Sequence, residues 1–272
     1  MNPIDSFIVW HSKKFNGPIR TFFMKVYFFL VRVKNQIKYG DPEIFNYVNI
    51  ELNRNCNRRC NYCPKNEYAK VMDSKISFKL FKKIIKELEE INYSEKICFT
   101  GYYEPLMTKN IVKFISYTRK KLPDSKIIIY TNGDFLTEEM YQKLTKKKIR
   151  LIISLHDDPE NKNLKRIKKI TSKKNTILKK DISNYILSTR GGVVDVEKEE
   201  KKSSCIFPSL QLTIDSSGDV ILCPDDYFSD YTYGNIKKES LMNIWKSPEL
   251  KKVRKKTLAG KDLESICKHC LN

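Results

Sequence analysis

No stretch of this 272-residue sequence is apolar enough, for long enough, to span a bilayer. The best candidate, residues 21–33 (TFFMKVYFFLVRV), falls short of the ~20 apolar residues a membrane helix needs and has Lys25 and Arg32 inside it. The opening residues, MNPIDSFIVWHSKKF, lack the basic start, apolar core and small-residue cleavage site of a secretory signal, so a reducing cytoplasm is the expected compartment. The net charge of +20 comes without a nucleic-acid-binding motif and without aromatics interleaved among the lysine runs, so no nucleic-acid partner is expected. There is no internal repeat. Eight cysteines would suit disulfides in a secreted chain, but the spacings C-x3-C-x2-C and C-x2-C are those of metal ligands. A hydrophobic content of 40% with 11% aromatics excludes wholesale disorder.

What is present falls into three segments. Residues 1–45 form an N-terminal extension that ends on the turn Gly40-Asp41-Pro42. Within it, Ile19, Phe22, Phe23, Val26, Tyr27, Leu30 and Val31 recur at helical spacing, and Phe28 and Phe29 widen the stripe. Such a helix packs on the rest of the chain, or residues 19–34 lie on an anionic membrane surface as a peripheral contact. Residues 46–192 then alternate strand and helix. Strands are expected at 47–52, 96–100, 126–131, 150–155 and 182–187, with helices at 75–92, 110–121, 137–147 and 161–173. Thr137 is placed to cap its helix, with Glu138 and Glu139 in the first turn where the helix dipole favours anions. This rhythm implies a parallel α/β sheet with ligands at the C-terminal strand ends, in a partial (β/α) TIM-like barrel too short to close. Residues 193–272 change character, with a charged linker, a hairpin around Ser216-Ser217-Gly218, a helix near 240–245 and a terminal cysteine pair.

Cys56, Cys60 and Cys63 follow the first strand as C-x3-C-x2-C. Soft thiolates at this spacing suit an iron–sulfur cluster or zinc. A closed structural zinc site wants four ligands, and no further Cys or His lies in the loop. Three thiolates on a cubane leave one iron open.

This segment resembles the signature of the radical S-adenosylmethionine (radical SAM) superfamily, and Tyr62 matches the aromatic that usually precedes the third cysteine. Gly101-Tyr102-Tyr103-Glu104-Pro105, after the second strand, resembles the family's GGEP-type motif, with tyrosines where glycine is often found. Thr131-Asn132-Gly133 and Ser154 end the third and fourth strands, as in many relatives. The resemblance implies a [4Fe-4S] cluster on the three cysteines, S-adenosylmethionine (SAM) chelated to its open iron, and reductive cleavage to a 5′-deoxyadenosyl radical that abstracts hydrogen from a substrate. It implies cofactor-binding roles for Tyr62, Gly101, Glu104, Pro105, Thr131, Asn132 and Ser154, and a low-potential electron donor such as flavodoxin or ferredoxin.

The later cysteines, Cys205, Cys223, Cys267 and Cys270, sit among Cys205-Ile-Phe-Pro208, Gly218-x4-Cys223-Pro and Leu241-x2-Ile244-Trp245, and this pattern resembles the C-terminal domain of the SPASM/twitch subgroup. Four ligands fit one auxiliary [4Fe-4S] cluster, with zinc as the alternative. A closed auxiliary cluster accepts electrons, which points to dehydrogenation of a sugar-like or other small polar substrate. A peptide substrate is the second reading, and a noncatalytic metal-binding scaffold docked on a membrane the third. Arg190, before Gly191-Gly192, either clamps a carboxylate of cofactor or substrate or tops an exposed turn. Cys98 is expected in the core, His269 beside its cysteines as a bystander, and Asp225 and Asp226 in a polar turn rather than, as the alternative, facing the active site.

Overall fold

The computed structural model describes residues 17–60, 62–64, 74–155, 162–180, 189–194 and 203–271. Helix α1 (Gly17–Tyr39) leads into β1 (Tyr47–Ile50). The chain continues through α2 (Phe78–Glu90), β2 (Lys96–Phe99), α3 (Ile111–Lys121), β3 (Lys126–Thr131), α4 (Glu138–Thr145), β4 (Arg150–Leu155), α5 (Lys162–Ile170) and β5 (Thr176–Lys180). The C-terminal part holds α6 (Phe207–Leu210), β6 (Gln211–Ile214), β7 (Asp219–Ile221), β8 (Thr232–Asn235), α7 (Leu241–Trp245), α8 (Pro248–Ala259) and α9 (Ser265–Cys270).

The alternation of apolar residues on the strands sets the layers. Val48 and Ile50, Ile97 and Phe99, Ile127 and Ile129, Leu151 and Ile153 point to one face. There they meet Phe81, Ile84, Ile85 and Leu88 of α2 and Ile115 of α3 in a single core. Capping fixes where the helices begin. The Ser77 hydroxyl accepts from Leu80 N before α2, and Thr137 Oγ1 from Met140 N before α4, the latter at the expected cap.

Strand order is β5-β4-β3-β2-β1-β6-β7-β8, and β1 to β5 are all parallel, so among the described residues the sheet is an open barrel that ends at β5 and β8, as the short βα run required. One pairing was not foreseen. β6 runs parallel to β1, with Tyr47 opposite Gln211, and β7 and β8 add on in antiparallel fashion. The C-terminal strands therefore extend the main sheet. The fifth strand of the sheet is Thr176–Lys180; the strand expected at 182–187 lies outside the described residues, as do residues 1–16 and His156.

The broad apolar stripe near the N-terminus splits in two. Met24, Tyr27 and Val31 pack on Leu210, with Ile206 and Leu258 alongside, while Ile19, Phe22, Val26 and Leu30 stay exposed. Among the described residues no helix is long and apolar enough to cross a membrane.

Candidate functional site

The expected site residues gather at the C-terminal ends of the parallel strands. The cysteine loop follows β1. Gly101–Pro105 follows β2, Thr131 and Asn132 close β3, and Ser154 is the fifth residue of β4, opposite Lys179 of β5.

Glu104 ties three of these together. Its carboxylate is 2% exposed and accepts from Leu106 N (2.9 Å), the Thr131 hydroxyl (2.6 Å) and Asn132 N (2.8 Å). Burial raises its pKa above the ordinary value in spite of these donors. Two of the three bonds fall on Oε1, which leaves Oε2 capacity for one more donor, such as an amine. Pro105 opens a short 3-10 turn capped by Glu104 and is itself buried. At Gly101 a Cβ would stand 2.9 Å from Glu51 Oε1, so only glycine lets the chain pass there.

The cysteine loop is braced from outside. Arg58 holds Asp134 through Nε (2.7 Å) and Nη2 (2.6 Å), and Asn57 Nδ2 reaches the same carboxylate at 2.7 Å. Arg58 N donates to Cys56 Sγ at 3.4 Å, and Asn132 Nδ2 lies 4.0 Å from that sulfur. Cys63 N bonds Cys60 O at 3.0 Å, the turn that brings the second and third cysteines together. Burial, Glu104 and Cys60 raise the Cys56 thiol above its usual value. A partly desolvated Cys56 thiol, raised in spite of the Arg58 amide and the Arg59 charge, fits a cationic iron–sulfur core, which stabilises the thiolate form.

The second sulfur set also converges. Cys205, Cys223, Cys267 and Cys270 border one apolar cluster with Leu222, Val253, Leu263 and Leu271. Burial and the neighbouring Cys205 and Cys270 push Cys267 up to about 12, and burial, Asp225, Cys205 and Cys267 raise Cys223. Among the described residues no three Cys, His, Asp or Glu side chains converge on the position of a single ion. Each thiolate of a cubane takes its own iron, so four surrounding sulfurs suit that group in number and softness.

Three residues stand between the two sulfur sets. Tyr102 donates to Asp225 Oδ1 (2.7 Å), and Arg190 Nη1 lies 3.5 Å from the same oxygen, with its guanidinium over the Tyr102 ring at 5.7 Å. Cys63 acts on the charge of Arg190, and Asp225 on Cys223. Of the two readings of 225–226, the polar turn holds for one residue and is corrected to the alternative for the other. Asp226 does hold a turn, accepting from Asp230 N and Tyr231 N at 3.0 Å, but Asp225 reaches across to Tyr102 and Arg190. Gly191 and Gly192 seat this segment against α9. A Cβ at Gly191 would meet Ile266 at 2.5 Å, and one at Gly192 the His269 ring at 2.7 Å. Cys98 is 3% exposed in β2, as expected of a core residue.

Beneath the site lies a network that the sequence did not reveal. Arg54, 1% exposed, meets Glu51 (3.3 Å), Asp215 (3.1 Å) and the Ser229 hydroxyl (2.6 Å). It joins the ends of β1 and β6. Burial first, with Asp215 adding repulsion against the pull of Arg54, pushes Glu51 up to about 7. From its ordinary 4.5 to about 7, the folded protein keeps a proton there that the unfolded chain releases. Stability is therefore expected to fall as pH rises through that window, by up to about 3 kcal/mol. Urea unfolding of the cluster-loaded protein from pH 5 to 8, compared with Glu51→Gln, checks this: the variant shows a flatter profile, and equal slopes would assign the proton elsewhere.

One cavity lies away from this site. It measures about 890 Å³ and opens at the N-terminal strand ends, lined by Lys96, Lys126, Arg150 and Asn175. None of the cysteines and none of the Glu104 partners line it, so it is separate from the strand-end site.

Residues 50–180 match the family model described as the radical SAM superfamily, and residues 205–271 the one described as an iron–sulfur cluster-binding domain, SPASM. The chain is 31% identical over 235 residues to the S-adenosyl-L-methionine-dependent 2-deoxy-scyllo-inosamine dehydrogenase of Niallia circulans, covering 85% of this chain and 94% of that protein. The crystal structure of BtrN in complex with AdoMet and 2-DOIA superimposes with a TM-score of 0.77 at 30% identity, covering 84% of this chain and 94% of that one. Streptococcus suis SuiB bound to the precursor peptide SuiA shares the fold alone, with a TM-score of 0.58 at 14% identity over 82% of this chain and 70% of that one.

Proposed function

Since the chain belongs to the radical SAM superfamily and is an oxidoreductase that uses SAM and [4Fe-4S] clusters, we propose that it dehydrogenates a small polyhydroxylated substrate of the aminocyclitol or sugar type. The observation behind this reading is the match along 94% of a 2-deoxy-scyllo-inosamine dehydrogenase, beside family matches over the strand-end motifs (50–180) and the C-terminal cysteines (205–271). In our proposal residues 46–192 form the catalytic core and 193–272 the auxiliary unit. Cys56, Cys60 and Cys63 hold the first cluster, and Cys205, Cys223, Cys267 and Cys270 the second.

When bound, these groups supply hydrogen-atom abstraction from the substrate and an acceptor for the second electron. The chain's own residues orient and desolvate. Glu104 receives the amine of SAM on the free side of Oε2, while Thr131 and Asn132 keep its carboxylate fixed. Tyr62, Gly101, Pro105 and Ser154 shape the rest of the cofactor site. Tyr102, Asp225 and Arg190 line the way between the two clusters and offer a hydroxyl, a carboxylate and a guanidinium to substrate hydroxyl or amino groups. A low-potential donor of the flavodoxin or ferredoxin type supplies electrons, and a reducing cytoplasm suits both partners.

The test is an anaerobic assay of reconstituted protein with SAM, dithionite and a panel of aminocyclitols and sugars. The expected product has lost two hydrogens, in step with 5′-deoxyadenosine. A product of unchanged hydrogen content would replace dehydrogenation by another radical reaction.

A further inference from the structure

Helix α1 has two apolar faces, and among the described residues only one of them is packed. Met24, Tyr27, Val31 and Asn35 form the buried face, and Asn35 Nδ2 donates to Ile44 O at the foot of β1. At 3.6 residues per turn, Ile19, Phe22, Phe29, Leu30, Val33 and Ile37 stand on roughly the opposite side. Phe22 and Phe29 are each 63% exposed and Ile37 is 82% exposed. Scattered exposed apolar side chains are ordinary, but a continuous stripe about 27 Å long is not.

The charges along this helix are all of one sign. Arg20, Lys25, Arg32, Lys34 and Lys38 accompany no acid between Gly17 and Tyr39. By helical angle, Lys25 and Arg32 border the stripe on one side and Lys34 on the other. Lys34 and Lys38 share the one carboxylate of Glu95, at 2.8 and 2.9 Å, and Arg32 lies 3.7 Å from Glu43. The helix thus stays net positive on a chain of charge +20.

We infer that this stripe binds the surface of an anionic bilayer, with α1 lying in the membrane plane. Its apolar side chains enter the acyl boundary and the flanking lysines and arginines reach the phosphates. The helix is too polar to cross, which fits a helix that lies on the surface. A second copy of the chain is a poorer occupant, because two such helices packed together would set basic flanks against each other. Lys34 and Asn35 meet Glu95 and Ile44, at the N-terminal ends of β2 and β1. The helix therefore docks at the end of the sheet opposite the cysteine loop.

The experiment is flotation of the full, cluster-loaded chain with phosphatidylcholine vesicles, with and without phosphatidylglycerol. The wild type is expected to float with the anionic vesicles and about tenfold less with the neutral ones. The variant F22S/F29S/I37S, altered only at exposed positions, is expected to lose flotation about tenfold while keeping its thermal unfolding curve and its SAM cleavage. A wild type that stays at the bottom of both gradients, or a variant that floats equally well, overturns the inference. So does sedimentation velocity showing a wild-type dimer, dissolved by the triple substitution, with no vesicle binding: the stripe is then a seam between copies.

Discussion

Cys60→Ala is expected to lower SAM cleavage by at least about a thousandfold while leaving the C-terminal metal site filled, so that bound iron falls from about eight to about four per chain. The argument is one of ligand count. Cys56, Cys60 and Cys63 are the three thiols available in the loop, and Cys60 is half-buried beside a turn whose carbonyl it supplies to Cys63 N. With two thiolates left, an open-iron cubane loses its grip. The other set, bedded among Leu222, Val253, Leu263 and Leu271, shares no ligand with the loop and should be untouched. Iron and sulfide analysis together with 5′-deoxyadenosine yield decides the matter. Cleavage that survives the substitution would mean that the loop does not hold the reactive cluster.

The second large effect concerns stability. Arg54→Met is expected to cost about 3–5 kcal/mol, because it strands Glu51 and Asp215 as buried carboxylates without their shared cation. For a chain of this size that corresponds to a Tm roughly 10 °C lower. The loss should shrink at pH 5, where protonation of Glu51 removes one of the stranded charges. It should also shrink in the triple variant Glu51→Gln, Arg54→Met, Asp215→Asn, which leaves no charge to strand. Thermal unfolding of the three proteins at pH 5 and pH 8 measures both effects. A loss that is the same at both pH values and is not rescued would show that Arg54 acts through packing against Tyr103, whose ring lies 5.8 Å from its guanidinium.

Much of this was legible because it is local. A strand can be read from the isoleucines of 126–131, a helix start from Thr137 with two glutamates behind it, and the proposed cofactor edge from Glu104, Thr131, Asn132 and Ser154 at the ends of their strands. The cysteine spacings marked both proposed metal sites for the same reason. What escaped is long-range. Arg54 and Asp215 are 161 residues apart, and nothing in either neighbourhood signals the other until β6 is laid beside β1. Asp225 looked like a turn residue because its partners, Tyr102 and Arg190, arrive from two other loops. On α1 the period was clear but the width was misleading. Phe28 and Phe29 broadened one stripe that the folded chain divides between a packed face and an exposed one.

The pairing of β1 with β6 also governs how the chain must be assembled. Within this sheet β1 leaves the ribosome before the other described strands, and β2 covers one of its edges soon afterwards. The other edge, lined by Val48 and Ile50, waits for Leu212 and Ile214, which are synthesised after β2 to β5 are all in place. Until then the nascent protein presents an unpaired, hydrophobic parallel strand, the kind of edge on which chains stick to one another. Shielding by chaperones, or slow synthesis of the last third, therefore favours folding over aggregation, and a chain cut short before β6 is a candidate for inclusion bodies rather than for a smaller folded domain.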